Sequence, residues 1–426
     1  MVKHRSLAKL IKNEYVFSII TKFINIGLGI IQSVLVARFL GAELRGVNAY
    51  ISSITSIGAI VITFGMHQAY PYFRKKYGKD AIYRDYVSLT ILLYSIYMVA
   101  AILLVILFPF SIEAKAAILL IPLLGYSRVT AYITLIEQPN LRNTWWTVIQ
   151  FVDVLYVFVL WLFVKRNVYW GISILFFADL LKCVVYTLML KVKPHFKRTM
   201  YKMLVELAKF GFFPMLALLM TTLNYRIDVL MLHGYDYITD SMIGVYSLGL
   251  SLSDKIVMIP DTLKGILVSK LSKGASDHEV AKVSRISFWA SVFFCILIFA
   301  FGQWVIDVLY GAEYTDAYSI ILITATGILV VSYFKFIAQY NIVNKKQFLN
   351  VAMLSIAIIA DVVLNLLFIP IWGINGAAFA TSIGNAVCGV VFILYFCKCT
   401  GIHFSEMIVP QKEDIKMLMT LFNKKV

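Results

Sequence analysis

Residues 86–108, "YVSLTILLYSIYMVAAILLVILF", hold no charged side chain. About 20 apolar residues in a helix cross the ~30 Å hydrocarbon core of a bilayer, so the stretch reads as a transmembrane span. Working outward from it, similar stretches recur at about 15–37, 47–68, 116–136, 145–164, 168–190, 207–232, 241–267, 286–309, 317–340, 349–369 and 373–397. The chain is 61% hydrophobic and 15% charged, with a mean hydropathy of +0.83. A soluble domain carries roughly 25% charged residues, so these few could not clothe a soluble core of this size. The expected fold class is an all-α polytopic membrane protein of about twelve transmembrane helices.

The net charge of +16 would suggest nucleic acid as a partner in a soluble protein. Its distribution points elsewhere. With the N-terminus inside, 26 of the 39 Lys and Arg fall in cytoplasmic segments and 5 in outer loops. This positive-inside asymmetry places both termini in the cytoplasm of a multi-pass cell-membrane protein and argues against nucleic-acid binding. The basic start "MVKHRSLAKLIKNE" runs into an apolar segment too long for a signal sequence, so the first span is expected to be retained.

Five cysteines form no CxxC pair, and the six histidines show no ligand spacing. Neither a metal nor a cofactor is expected. Every loop is short, which leaves no room for a soluble catalytic or motor domain, and no GxxxxGK[ST] sequence occurs.

The two halves look related: Gly46-Val47 after span one matches Gly244-Val245 after span seven, and Asp153-Val154-Leu155 in span five matches Asp361-Val362-Val363 in span eleven. Both halves start inside, so the repeat would be parallel. The expected organisation is an N-terminal six-helix lobe over 1–198 with a basic interfacial start, a C-terminal six-helix lobe over 199–400, and a cytoplasmic amphipathic tail over 401–426. Residues 3–12 and the segment after Pro410 read as basic interfacial helices. Small residues step by four along span twelve (Gly373, Ala377, Thr381, Asn385, Gly389), a pattern for close helix packing.

Charge inside a span costs roughly 2.5–3.5 kcal/mol on insertion scales, so an embedded ionisable group is a functional candidate. "TTLNYRIDVLML", 221–232, carries Asn224, Arg226 and Asp228. In a continuous helix Asn224 and Asp228 share a face and Arg226 points about 200° away. Stripes of polar residues run along span one (Lys22, Asn25, Gln32), span two (Asn48, Ser52, Thr55) and span eight (Ser247, Ser251, Asp254, Asp261), with Pro260 expected to bend span eight. These stripes suggest a wet central cleft. Lys22, Asn25, Arg128, Asn224, Arg226 and Lys255 are the candidate substrate-binding residues, and Asp228 and Asp254 the candidates for gating or ion coupling. Lys264 is expected to pair with Asp261, Lys182 with Asp179, and Lys335 to snorkel inward. Asp153 and Asp361 read as structural.

At "LVARFLGAELRGVNAY" (35–50), "NYRIDVLMLHGYDYITDSMIGVYSLG" (224–249) and "PIWGINGAAFATSIGN" (370–385), the chain resembles the Wzx-type polysaccharide flippases of the multidrug/oligosaccharidyl-lipid/polysaccharide exporter superfamily. The resemblance implies two six-helix lobes working by alternating access. It also implies the partners: a polyprenyl-pyrophosphate-linked oligosaccharide, membrane lipids and a polysaccharide polymerase. Two features depart from the family: the inner end of span eight reads "LVSKLS" without the proline common there, and span one has Lys22 where drug exporters often carry an acid. An exporter of cationic drugs coupled to protons or sodium through Asp228 is the main alternative. A membrane polymerase would need a larger outer loop than any present.

Overall fold

The computed structural model describes residues 14–195, 199–271, 276–344, 346–411 and 414. Both expected interfacial helices, residues 3–12 and most of the segment after Pro410, lie outside the described residues. The described chain is helical: α1 Glu14–Thr63, α2 Met66–Tyr77, α3 Lys79–Leu107, α4 Ile112–Glu137, α5 Pro139–Phe163, α6 Val168–Leu190, α7 Thr199–Leu223, α8 Ile227–His233, α9 Asp240–Ser253, α10 Met258–Leu271, α11 Asp277–Leu309, α12 Ala317–Val343, α13 Gln347–Thr400 and α14 Phe404–Ile408. Among the described residues eight helices are long and apolar enough to cross a membrane, and α7 with α8, bent by 56°, makes a ninth span.

Two of those helices each hold two of the expected spans. α1 is interrupted only at Gly41 (φ 70°, ψ −179°), and α13 only at Gly373 (φ 57°, ψ −131°). Positive φ is nearly free for glycine and strained for other residues, so one glycine makes a kink where a short loop was expected. With α9 and α10 as span eight, every apolar stretch read from the sequence has its helix, and the all-α polytopic fold class is the one found. One expected inner loop is largely helical. Residues 66–77 form α2, and Tyr70 (2.6 Å), Arg74 (2.6 Å) and Lys79 (2.8 Å) all converge on Glu137 at the end of α4.

Contacts divide the chain into two compact units, Met1–Thr222 and Leu223–Val426. The boundary falls within expected span seven, where α7 ends. In the first unit α1 packs on α4 and α5, and α4 on α6. Its aromatic core joins Tyr70, Phe73, Tyr86 and Tyr94, all buried. α7 meets this core through Leu207 and a close glycine crossing, where a Cβ on Gly211 would lie 2.0 Å from the Phe64 carbonyl oxygen.

In the second unit the most extensive packing is α12 on α13. A Cβ on Gly389 would lie 2.1 Å from the Val330 carbonyl oxygen, and one on Gly327 2.2 Å from that of Ser382. Backbones this close leave no room for a side chain, which is the use of the small residues along span twelve. α14 is held against the start of α11. The Arg285 guanidinium donates to Asp414 (2.6 and 2.9 Å) and Gln411 (3.2 Å), and Tyr333 donates to the Met407 carbonyl (2.9 Å). Burial alone would raise the Asp414 carboxyl, but the hydrogen bonds and charge of Arg285 outweigh it and hold it below the usual carboxylate range.

Gly389→Leu is expected to lower the midpoint of thermal unfolding in detergent and the folded yield, since overpacking typically costs about 1–3 kcal/mol, whereas Gly27→Leu, in open space, is expected to leave both unchanged. A carboxyl whose pKa is depressed on folding contributes stability above its unfolded value, lost as pH falls through the folded value. The Arg285–Asp414 contact should therefore hold at neutral pH and release below the ordinary carboxylate range, read as increased proteolysis after residue 401 that Asp414→Asn reproduces at pH 7.

Candidate functional site

The irregular backbone of the second unit lies inside two spans. Span seven unwinds at Asn224, Tyr225 and Arg226, and span eight at Asp254–Val257. Pro260 sits in the first turn of α10 and cannot donate to the Ile256 carbonyl, so the proline expected to bend span eight lies just after its break. Five of the eight candidates fall at these breaks or one turn beyond: Asn224, Arg226, Asp228, Asp254 and Lys255.

The break in span seven changes the reading of its faces. Asn224 and Arg226 are not in one helix with Asp228, so counting 100° per residue between them does not apply. Asn224 is buried and donates to Asn385 on α13 (3.0 Å). Asp228, buried in the first turn of α8, accepts from the Tyr246 and Thr381 hydroxyls, the latter at 3.3 Å, and from the Val229 N–H at 2.8 Å. Arg226 is half-buried at the start of α8, and Asp254 and Lys255 are exposed. None of these three makes an ion pair within 4 Å among the described residues, although the charges of Arg226, Lys335 and Lys255 all act on Asp254.

One expectation about pairing is corrected. Asp261 has Lys335 of α12 as a partner (3.4 Å). Lys335 does not snorkel inward but also lies over the Tyr225 ring, 5.4 Å from its centroid. In a low-dielectric interior a nearby counter-charge and an aromatic face offset the cost of burying an ammonium. Lys182 and Asp179 pair as expected, at 2.9 Å.

In the first unit the polar stripe of span one is used within the unit. Asn25 donates to Thr147 of α5 (2.8 Å), and Gln32 donates to Asp153 while accepting from Gln150. Asn48 donates to the Gly171 carbonyl (2.9 Å), and Thr55 to its own helix. Most of the stripe therefore holds helices together rather than lining a wet cleft. Lys22 is half-buried and makes no ion pair among the described residues.

Arg128 borders a pocket of about 370 Å³ shared by α1, α2, α4, α5 and α7, with His67, Tyr132, Arg142, Leu218 and Thr222 also on its wall. Arg142 and His67 were missed from the sequence. Arg142 counted with an inner loop, and His67 carried no motif; only the fold of α1 into α2 at Gly65 brings them to Arg128.

This architecture recurs in solved structures of transporters. Its fold is that of the lipid II flippase MurJ in an inward closed conformation (TM-score 0.70, 17% identity, 97% of this chain and 93% of that one). It is also that of an inward-facing multidrug resistance MATE family transporter of the MOP superfamily (0.66, 13%, 90% and 98%). A MOP superfamily transporter from Pyrococcus furiosus Vc1 is similar at 0.56, with 11% identity over 92% and 96% of the two chains. No curated protein matches in sequence. The profile of the family described as "Polysaccharide biosynthesis protein" matches residues 35–319, and the chain belongs to that family.

Tyr246→Phe leaves Asp228 without one of its buried donors, and is expected to destabilise the protein by about 1–3 kcal/mol, read as a lowered midpoint of thermal unfolding in detergent.

Proposed function

We propose that the protein is a flippase that carries polyprenyl-pyrophosphate-linked oligosaccharide units from the cytoplasmic to the outer leaflet by alternating access, for surface polysaccharide synthesis. The observation that carries this reading is the pair of helix breaks in spans seven and eight, which leave Arg226, Asp254 and Lys255 without ion pairs at membrane depth. Unwound backbone inside a bilayer is tolerated only where protein or a water-filled cavity satisfies it. Discontinuous helices are where secondary transporters bind substrates and coupling ions.

The chemistry fits. A sugar headgroup in hydrocarbon loses several kcal/mol for each unsatisfied hydroxyl, which a hydrated polar path offsets. Lys22, Arg128, Arg226 and Lys255 carry fixed positive charge of the kind a pyrophosphate needs. The lipid tail can stay in the bilayer. With both termini cytoplasmic, an anion leaving an inside-negative cell gains roughly 2.3 kcal/mol per charge per 100 mV, so the membrane potential helps drive export. Asp228 and Asp254 tune gating by taking a proton or a counter-cation. Transport in vesicles that ignored both potential and pH gradient would remove that part of the reading.

The MATE likeness in fold supports a second reading, export of cationic drugs coupled through Asp228. The excess of fixed cations favours an anionic cargo. Deleting the gene and analysing lipid extracts by mass spectrometry separates the two. Accumulated polyprenyl-pyrophosphate glycan with loss of surface polymer is the expected result; a normal lipid-linked pool with new drug sensitivity would favour the exporter. Lys22→Ala and Arg226→Ala are each expected to reduce flipping at normal membrane insertion, by about tenfold or more where a charged hydrogen bond to phosphate is lost. Unchanged transport in both would take them out of the binding site.

A further inference from the structure

The pocket around Arg128 holds a combination that packing alone does not require. Arg142 lies in the first turn of α5, its guanidinium carbon 4.7 Å from the centre of the Trp146 ring. One terminal nitrogen donates to Asn143 (3.2 Å). Its Nε is enclosed and has no acceptor, and Arg142 makes no ion pair among the described residues. Across the pocket Arg128 donates weakly to the Ser56 carbonyl (3.4 Å). His67 packs edge-on against Tyr132, with ring centres 5.8 Å apart, and its enclosed Nδ1 also lacks a partner. No acidic residue lines the pocket.

A half-buried guanidinium without a counter-ion is costly, and the Trp146 ring offsets only part of that cost. With one face of the planar fork on Trp146, its edge is left for a ligand. A planar fork suits paired phosphate oxygens better than an ammonium does. Arg128 lies nine residues before the end of α4, about 14 Å along the helix axis, and Arg142 follows just after the α4–α5 turn. If the basic segments are cytoplasmic, the pocket begins at the inner end of the unit, where a substrate made in the cytoplasm arrives. Its volume falls in the range of small-ligand sites, roughly 300–1,000 Å³, so it can take a headgroup's phosphates but not a whole glycan.

We propose that this pocket is a diphosphate-binding site, in which Arg128 and Arg142 grip the two phosphoryl groups of a lipid-linked substrate and His67 supplies a third contact. The inference deepens the flippase reading and rests on it for the ligand. It makes Arg142 the residue that selects a diphosphate over a monophosphate.

The test is equilibrium binding of geranylgeranyl diphosphate, geranylgeranyl monophosphate and inorganic pyrophosphate to the purified full chain in nanodiscs of neutral lipid. The diphosphate lipid should bind more tightly than the monophosphate. Arg142→Gln should weaken it about 10- to 100-fold, the loss expected for hydrogen bonds between charged groups. Arg142→Lys should recover only part of this, and Lys165→Gln, an exposed charge on a loop, none of the loss. Inorganic pyrophosphate sharing the Arg142 dependence would show that the site reads the diphosphate itself rather than a phospholipid headgroup. Equal affinity of wild type and Arg142→Gln for the diphosphate lipid, with both folded, would overturn the site. Binding that depends on Arg142 in a protein that flips nothing would leave the site standing and overturn the flippase reading. Flipping in vesicles with Arg142→Gln binding unchanged would do the reverse.

Discussion

Hydrocarbon offers no hydrogen bonds, so every peptide group inside the bilayer has to find its partner within the protein. The rest of the structure follows from that constraint. It makes the described chain helical, and it makes each interruption of a helix informative. The interruptions at Gly41 and Gly373 are kinks between two expected spans, and each is confined to one residue that can adopt positive φ. The interruptions at Asn224–Arg226 and Asp254–Val257 are of another kind. They lie within spans, replace the helical ladder by tighter turns such as Lys255 N–H to the Leu252 carbonyl (3.1 Å), and carry charged side chains. A structural turn has no need of that; a polar path does.

Embedded charges divide on the same physical ground. Some are neutralised by near neighbours: Lys182 by Asp179 and Lys335 by Asp261. Their low-dielectric surroundings make these pairs structural ties. Asp228 is likewise occupied, since Tyr246, Thr381 and the Val229 N–H take up its oxygens. Lys22, Arg142, Arg226 and Lys255 form no ion pair among the described residues. Cations of this sort fit the proposed cargo, which would bring the negative charge with it.

The apolar spans and the fold class were legible in the sequence because hydropathy over about 20 residues reports a transfer energy that depends on composition, not on neighbours. The close packing of span twelve was legible too, because small residues four apart share a helix face in any environment. The faces of spans seven and eight were not. Periodicity assumes an unbroken helix, and the break at Asn224–Arg226 rotates everything after it. The polar stripe of span one was read correctly as a stripe, but its partners on α5, Thr147, Gln150 and Asp153, lie more than a hundred residues away, and no local pattern announces them.

By itself, then, the sequence determined that this chain is a many-span helical membrane protein, since hydropathy is a sum over local composition. Only the tertiary structure decided which buried charges are paired, where two spans unwind, and that His67, Arg128 and Arg142, from three separate helices, share one pocket. Those outcomes depend on distances between residues remote in the chain, and a charge is satisfied or left open by whatever lies within a few ångströms of it in space.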